Sequence, residues 1–187
     1  MSEQYLIEPL NLKHKEKFIK FADQFIGENY FNNDNFKEQI PLSIKDNLNC
    51  SFVMFNSEQE IIAIRLTYAP GVWQNKITTQ HIDKLNLNVK KVAYFKSLFV
   101  HPDYQGKKIG PILSKKSIKV LKLMDCEYII SHSWLESPNN SSVKYLEKYG
   151  FKQLGVISNF WGTVDYICTG CQKTSCSCTA VEMIFKI

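Results

Sequence analysis

The sequence predicts a single α/β (α+β) domain with the element order β-α-α-β-β-β-α-β-α-β-β. Three observations lead there. Short strand-like apolar runs are interleaved with stretches of helical periodicity along the whole chain. The 187 residues, 44% of them hydrophobic, suffice for one good core and demand no second. No Gly/Ser-rich linker, internal repeat or low-complexity segment divides residues 1–187.

Tyr5 to Leu10 reads as a first strand, stopped near Pro9. From Leu12 to Ile26, the residues Leu12, Phe18, Ile19, Phe21, Ala22, Phe25 and Ile26 recur at helical spacing, and Gly27 closes that helix in a left-handed cap. A second helical stretch runs around Asp34 to Leu48, interrupted by Pro41. Ser51 to Phe55 and Ile61 to Tyr68 form a hairpin across a polar turn. Residues 69–91, with Pro70-Gly71 and scattered amides, read as a long loop holding one helical turn, and long loops in compact domains are often functional. Val92 to Val100 suits a strand buried on both faces, with Val92, Tyr94, Leu98 and Val100 on one parity and Phe95 and Phe99 on the other. An amphipathic helix from Ile109 to Met124 follows, then a strand from Glu127 to Trp134. A helix from Asn140 to Tyr149 stops at Gly150, and the strands Phe151 to Phe160 and Ala180 to Ile187 complete the order.

The formal net charge of +5 is modest and spread in short clusters such as Lys107-Lys108 and Lys115-Lys116, which favours small anionic ligands. No nucleic-acid reading element accompanies it, so direct nucleic-acid binding is not expected. Met1 to Leu12 lacks the basic start and apolar stretch of a signal peptide, and no apolar run approaches the roughly 20 residues that cross a bilayer. The expected location is the cytoplasm, with no membrane partner.

The segment from Leu98 to Leu113 carries the most chemistry. A strand ends at Pro102, a short polar turn holds Gly106, and a helix begins within a few residues. Backbone amides at such a helix start converge on one spot and the helix dipole adds positive potential, so the turn favours a phosphate. On spacing alone, an ordinary strand-to-helix connection with solvated lysines fits equally well. The segment resembles motif A of the Gcn5-related N-acetyltransferase (GNAT) superfamily, Q/R-x-x-G-x-G/A after a V-x-P-x-Y element, matching at Val100, Pro102, Tyr104, Gln105 and Gly110. Lys108 departs from it, standing where the middle glycine belongs. The segment from Asn139 to Phe151 resembles motif B of the same family, N-x-x-S-x-x-x-L-E-K-x-G-F.

The resemblance implies a GNAT-like mixed, mostly antiparallel central sheet flanked by helices. It also implies acetyl-CoA as co-substrate, and transfer to a primary amine of a small molecule, protein or peptide by direct attack in a ternary complex. Main-chain groups of Leu98, Phe99 and Val100 then bind the pantetheine arm like an added strand, while Gly106, Lys107, Lys108, Ile109, Gly110 and Pro111 cradle the diphosphate. Asn139 fixes the arm or caps the helix. Many members carry a tyrosine acid where this chain has Leu146; Tyr145 lies about 100° away around the helix and does not substitute for it. The leucine variant resembles the ribosomal-protein and N-terminal acetyltransferase branch, in which the Ser142 position is a candidate thiol partner. Glu136 and His132, at the end of the strand beside the thioester, are the candidate bases; the alternatives are a solvated loop carboxylate and a satisfied strand histidine. Trp73 and Trp161 either line the acceptor cleft or pack in the core.

Four of the six cysteines, Cys168, Cys171, Cys176 and Cys178, form C-x2-C-x4-C-x-C in a loop at 163–179 inserted before the last strand. Four thiolates at that spacing suit one tetrahedral ion, so structural zinc is the first reading, with copper(I), an iron–sulfur cluster, disulfides or free thiols as alternatives. In related acetyltransferases this loop borders the acceptor side. Two other functional readings stand beside the enzyme. One is a non-catalytic acyl-CoA sensor, motivated by Lys108 and Leu146. The other is a zinc-dependent binding module, motivated by the cysteines and the basic balance.

Overall fold

The computed structural model describes residues 5–164 and 166–187. Seven strands form the central sheet: β1 (Leu6–Pro9), β2 (Phe52–Phe55), β3 (Ile61–Tyr68), β4 (Val92–Val100), β5 (Tyr128–Trp134), β6 (Lys152–Ile157) and β7 (Ala180–Lys186). Their spatial order is β1-β2-β3-β4-β5-β7-β6. Only β4 and β5 pair in parallel; the other pairs are antiparallel. The mixed, mostly antiparallel sheet expected from the sequence is therefore present, with β7 inserted between β5 and β6.

Helices cover both faces. The helices α1 (Lys15–Phe25) and α2 (Asn33–Leu42) pack Phe18, Phe21, Ala22 and Phe36 on Val53, Phe55, Ile64 and Leu66 of one face. On the other face, α3 (Ile109–Leu123) sets Ile109 and Leu113 on Phe52, Met54 and Ile62, and α4 (Ser141–Lys148) sets Val143 and Leu146 on Ile129, Val181 and Met183. The alternation within β2, Val53 and Phe55 toward α1 and Phe52 and Met54 toward α3, is the period of two that a strand imposes.

Several local expectations are corrected. The second helix ends at Leu42, with Pro41 in its last turn, and a two-residue ribbon (Ile44–Lys45 with Leu48–Asn49) replaces its expected continuation. Gly27 takes φ 156°, far from the left-handed helical region, and follows the cap residue Ile26. Residues 69–91 hold two short 3-10 turns, Ile82–Leu85 and Val89–Lys91, and bury Trp73, whose indole donates to the Val92 carbonyl at 2.6 Å.

The most consequential correction concerns β4. Its register with β3 runs Thr67↔Phe95 and then Leu66↔Ser97, so Lys96 is an extra, bulged residue. A bulge reverses the parity of everything beyond it. Ala93 and Phe95 face α3 and α4 before it, whereas Leu98 and Val100 face α3 after it. Val92 and Tyr94 thus lie on the opposite face from Leu98 and Val100. Burial follows suit: Val92 to Phe95 are buried, and Lys96 to Val100 are only half-buried.

Candidate active site

The half-buried end of β4 marks an opening in the sheet. Pairing with β5 runs from Val92↔Tyr128 to Phe95↔Ser131 and stops there. The Ser131 hydroxyl donates to the Phe95 carbonyl at 2.9 Å, ending the ladder at that point. Beyond it, Ser97 to Val100 pair only with β3, and His132 to Trp134 only with β7. Two neighbouring parallel strands part, and each turns an unpaired backbone edge to the gap.

On the α3 face, the gap ends at the turn that leads into that helix. After Val100 comes a 3-10 turn, Pro102–Tyr104, whose His101 imidazole accepts from the Asp103 amide at 3.2 Å. Gly106 has φ 77° with open space around it, so its glycine serves the turn. Gly110 has a different reason to lack a side chain. A Cβ there would stand 3.1 Å from Leu98 and 3.5 Å from the Tyr145 ring, so this glycine brings the first turn of α3 close onto β4 and α4. Lys108, the N-cap of α3, sits at φ 62°, a left-handed conformation that glycine adopts without steric cost. Pro111 has no amide proton, which leaves Ile109 and Gly110 as the outward-facing donors of the first turn.

The second motif lies across the gap. Asn139 and Asn140 both take left-handed conformations (φ 55° and 53°) before α4. Asn139 is not the N-cap of the helix; that place is held by Asn140, and the Ser137 hydroxyl accepts from the Ser142 amide at 3.0 Å. The half-buried hydroxyl of Ser142 has no hydrogen-bond partner among the described residues. Leu146 is buried in the core, and the Tyr145 hydroxyl pairs with Ser114 at 2.8 Å, so neither presents an acid to the gap.

The opposite face carries a polar network that joins three elements. His132, on β5 just past the split, is buried, with Nδ1 3.3 Å from the Tyr94 hydroxyl and Nε2 3.2 Å from Glu182 Oε1. The Phe160 ring stacks on it at 4.0 Å. Glu182 is fully buried on β7 and accepts from the main-chain amides of Gln80, His81 and Ile82 and from the His81 imidazole. Burial alone raises its pKa, but the His132 bond and the His81 and Gln80 amides outweigh that and hold it down at about 2. Its anionic charge requires His132 Nε2 to donate, which leaves Nδ1 to accept from Tyr94. A Cβ on Gly155 would overlap the His81 ring, so that glycine makes room for the network.

The two candidate bases are thereby separated. Glu136 is an exposed residue beyond β5 whose two carboxylate oxygens accept from the Thr179 amide at 3.1 and 3.0 Å, a brace for the segment that leads into β7. His132 lies at the gap. Tyr94, Glu182, His81 and Lys96 join the site without having been singled out in the sequence. A lone charge inside an otherwise apolar strand, Glu182 between Val181 and Met183 or Lys96 in Val92–Val100, is the signal that marks them.

The four cysteines converge. Their sulfurs all lie within 4.8 Å of one another, with Cys176–Cys168 at 3.5 Å and Cys168–Cys178 at 3.8 Å. Four thiolates at about 2.3 Å from one tetrahedral ion stand about 3.8 Å apart, so the set fits zinc. The loop rests on both walls of the gap. Gly170 packs on Trp134 so closely that a Cβ would overlap its ring, and Tyr166 stacks edge-on against Tyr30, ring centroids 5.1 Å apart, beside Gly27. Trp161 stacks edge-on against Phe160 just before the loop.

A family model described as the acetyltransferase (GNAT) family matches residues 20–151, which hold the split strands and both motifs. The chain belongs to the GNAT acetyltransferase family. No curated protein matches it. Solved GNAT structures share its fold: the ribosomal-protein-S18-alanine N-acetyltransferase from Escherichia coli is 15% identical over 98% of this chain and 94% of that one, with a TM-score of 0.65. Arabidopsis thaliana NAA60 in complex with acetyl-CoA is 13% identical over 98% and 99%, at 0.70. Arabidopsis thaliana Naa50 in complex with the bisubstrate analogue CoA-Ac-MVNAL is 13% identical over 98% and 99%, at 0.65. The cysteine loop lies outside the residues matched by the GNAT model. Among the described residues, no helix is long and apolar enough to cross a membrane.

Proposed function

We propose that this GNAT acetyltransferase moves an acetyl group from acetyl-CoA to a primary amine by direct attack, with His132 as the base. The observation that carries the reading is the split between β4 and β5, with the α3 N-terminus on one face and the Tyr94–His132–Glu182 network on the other. The free edge of Leu98, Phe99 and Val100 takes the pantetheine arm, the turn from Gly106 to Pro111 takes the diphosphate, and Asn139 borders the arm. The bulge at Lys96 frees main-chain amide groups at the thioester, where an oxyanion develops.

The amine enters from the face opposite α3. Its nitrogen attacks the thioester carbonyl carbon, its proton passes to the Tyr94 oxygen, and the Tyr94 proton passes to His132 Nδ1. The Glu182 carboxylate stabilises the imidazolium that forms. When the C–S bond breaks, the leaving thiolate faces α4, where the Ser142 hydroxyl donates a hydrogen bond to it. Aligning the reactants supplies most of the acceleration, and proton transfer contributes about 10²–10⁴-fold.

Zinc in the four-thiolate site is structural in this reading, since four protein ligands leave no open position. It ties the acceptor-side loop into the single domain formed by residues 1–187. Unpaired thiols suit a reducing compartment such as the cytoplasm. Isothermal titration with acetyl-CoA, followed by a thiol-release assay against a panel of amines, tests the proposal. Binding followed by turnover that fails in His132→Ala is the expected result; binding with no turnover on any amine makes the chain an acyl-CoA sensor, and no binding removes both readings.

A further inference from the structure

Two charges face the acceptor side of the gap, Glu182 fully buried and Lys96 half-buried, and the protein neutralises only the first. Glu182 is surrounded by three main-chain amides and two imidazoles. Lys96 has a single hydrogen bond, from its ammonium to the Tyr68 hydroxyl at 2.8 Å. Tyr68 in turn donates to Gln39 Oε1 at 2.6 Å, so α2 fixes its position. The ammonium also lies 5.3 Å from the Tyr68 ring centroid and 5.7 Å from that of Phe31. Among the described residues, no carboxylate forms an ion pair with it. Burial alone pushes its pKa down to about 8, which leaves it mostly charged at neutral pH. Arg65, a buried cation, lies on the α3 face with its guanidinium stacked on Phe95 at 3.5 Å and does not belong to this site.

The position of Lys96 matters as much as its charge. It is the bulged residue at the point where β4 leaves β5. Its ring neighbours Phe31 and Tyr68, with Tyr30 packed on the first and Tyr94 on the second, come from three separate segments and form an aromatic wall with few hydrogen-bond acceptors. An ammonium has three donors, and here one is used. A desolvated cation without a counter-charge is costly, and an anion that arrives with a ligand relieves that cost.

We propose that Lys96 is the acceptor-recognition residue of this enzyme, and that the acceptor is an amine carrying a carboxylate, with the carboxylate held by the Lys96 ammonium while the amine faces Tyr94 and His132. This rests on the acetyltransferase reading above. Lys96 acts here as a specificity-determining residue: its side chain holds the non-reacting end of the acceptor and takes no proton from it. A site built around a charge rejects the analogue that lacks the partner more strongly than an apolar pocket rejects an extra methylene, so discrimination of about tenfold or more is expected.

The test uses the full chain and matched pairs of acceptors, amino acids and short peptides with a free carboxylate against the same compounds as C-terminal amides. The ratio of kcat/KM within each pair is compared between the wild type, Lys96→Met and Lys96→Arg. Binding of the N-acetylated forms of the same pairs, titrated in the presence of CoA, gives a second readout that requires no turnover. The expected result is a preference of about tenfold or more for the carboxylate form in the wild type, retained in part by Lys96→Arg and reduced to near unity in Lys96→Met, with acetyl-CoA affinity intact. Equal use of the amide forms by the wild type overturns the proposal. So does a preference that survives in Lys96→Met, or a failure of every carboxylate form to bind or react. A chain that does not bind acetyl-CoA fails at the earlier step, so the two failures are told apart.

Discussion

Replacing Glu182 by glutamine removes one charge and leaves the shape of the side chain, yet it is expected to be among the most damaging single-atom exchanges in the protein. Both carboxylate oxygens accept hydrogen bonds: Oε1 from the Gln80 amide and His132, Oε2 from the His81 amide, the Ile82 amide and the His81 imidazole. A glutamine has one acceptor oxygen, so its NH2 group must face donors whichever way it is turned. The carboxylate is held at about 2 against an ordinary value of 4.5, a depression worth about 3 kcal/mol of folding stability. Because the folded-state value lies below the unfolded one, this contribution is present in full above pH 4.5 and is lost as the pH falls through about 2. Urea denaturation of the wild type and Glu182→Gln therefore gives a difference of about 3 kcal/mol at pH 7 that shrinks to less than half near pH 3. A difference below about 1 kcal/mol at pH 7, or one that does not narrow on acidification, would refute the assignment of Glu182 as an anion held by the loop at 80–82.

Other perturbations read different parts of the site. Tyr94→Phe keeps the ring that packs against Tyr68 but removes the hydroxyl that bridges to His132; kcat is expected to fall by about tenfold or more with acetyl-CoA affinity unchanged, and an unchanged kcat would remove Tyr94 from the proton path. Lys108→Gly relieves a left-handed residue at the start of α3 and is expected to stabilise the fold by about 1 kcal/mol in chemical denaturation, the steric relief exceeding the entropy lost by glycine. Metal analysis and X-ray absorption of the purified protein are expected to find zinc with sulfur at about 2.3 Å; Cys176→Ser should lose the metal and lower the melting temperature, while a metal-free wild type of unchanged stability would leave free thiols.

Much of the fold was legible in the residues because local chemistry dictated it. The period of two in Phe52–Phe55, the amphipathic spacing of Ile109–Leu123 and the glycine stop at Gly150 each depend on neighbours close in sequence. The two motifs also announced the family, since motif A is a strand, a glycine-bearing turn and a helix start in immediate succession. The spacing of the four cysteines was legible for the same reason: eleven consecutive residues hold all four thiols.

Longer-range features were not. Glu136 and His132 stand four residues apart and looked equivalent as bases. Only the pairing of β5 with β7 on one side and β4 on the other put Glu182 and Tyr94 around the histidine, while the Thr179 amide engaged the glutamate. The bulge at Lys96 left no mark in the pattern of apolar residues, because a run such as Val92–Val100 is apolar on both parities, and the reversal of faces appears only in the register with β3. Periodicity and motif alone thus determined the fold class, the GNAT resemblance and the strand–turn–helix segment from Leu98 to Leu113, which are local in sequence. The tertiary structure decided which titratable side chains meet at the gap, because Tyr94, His132 and Glu182 are brought together by strand order and register, and those are set by the burial of the whole sheet.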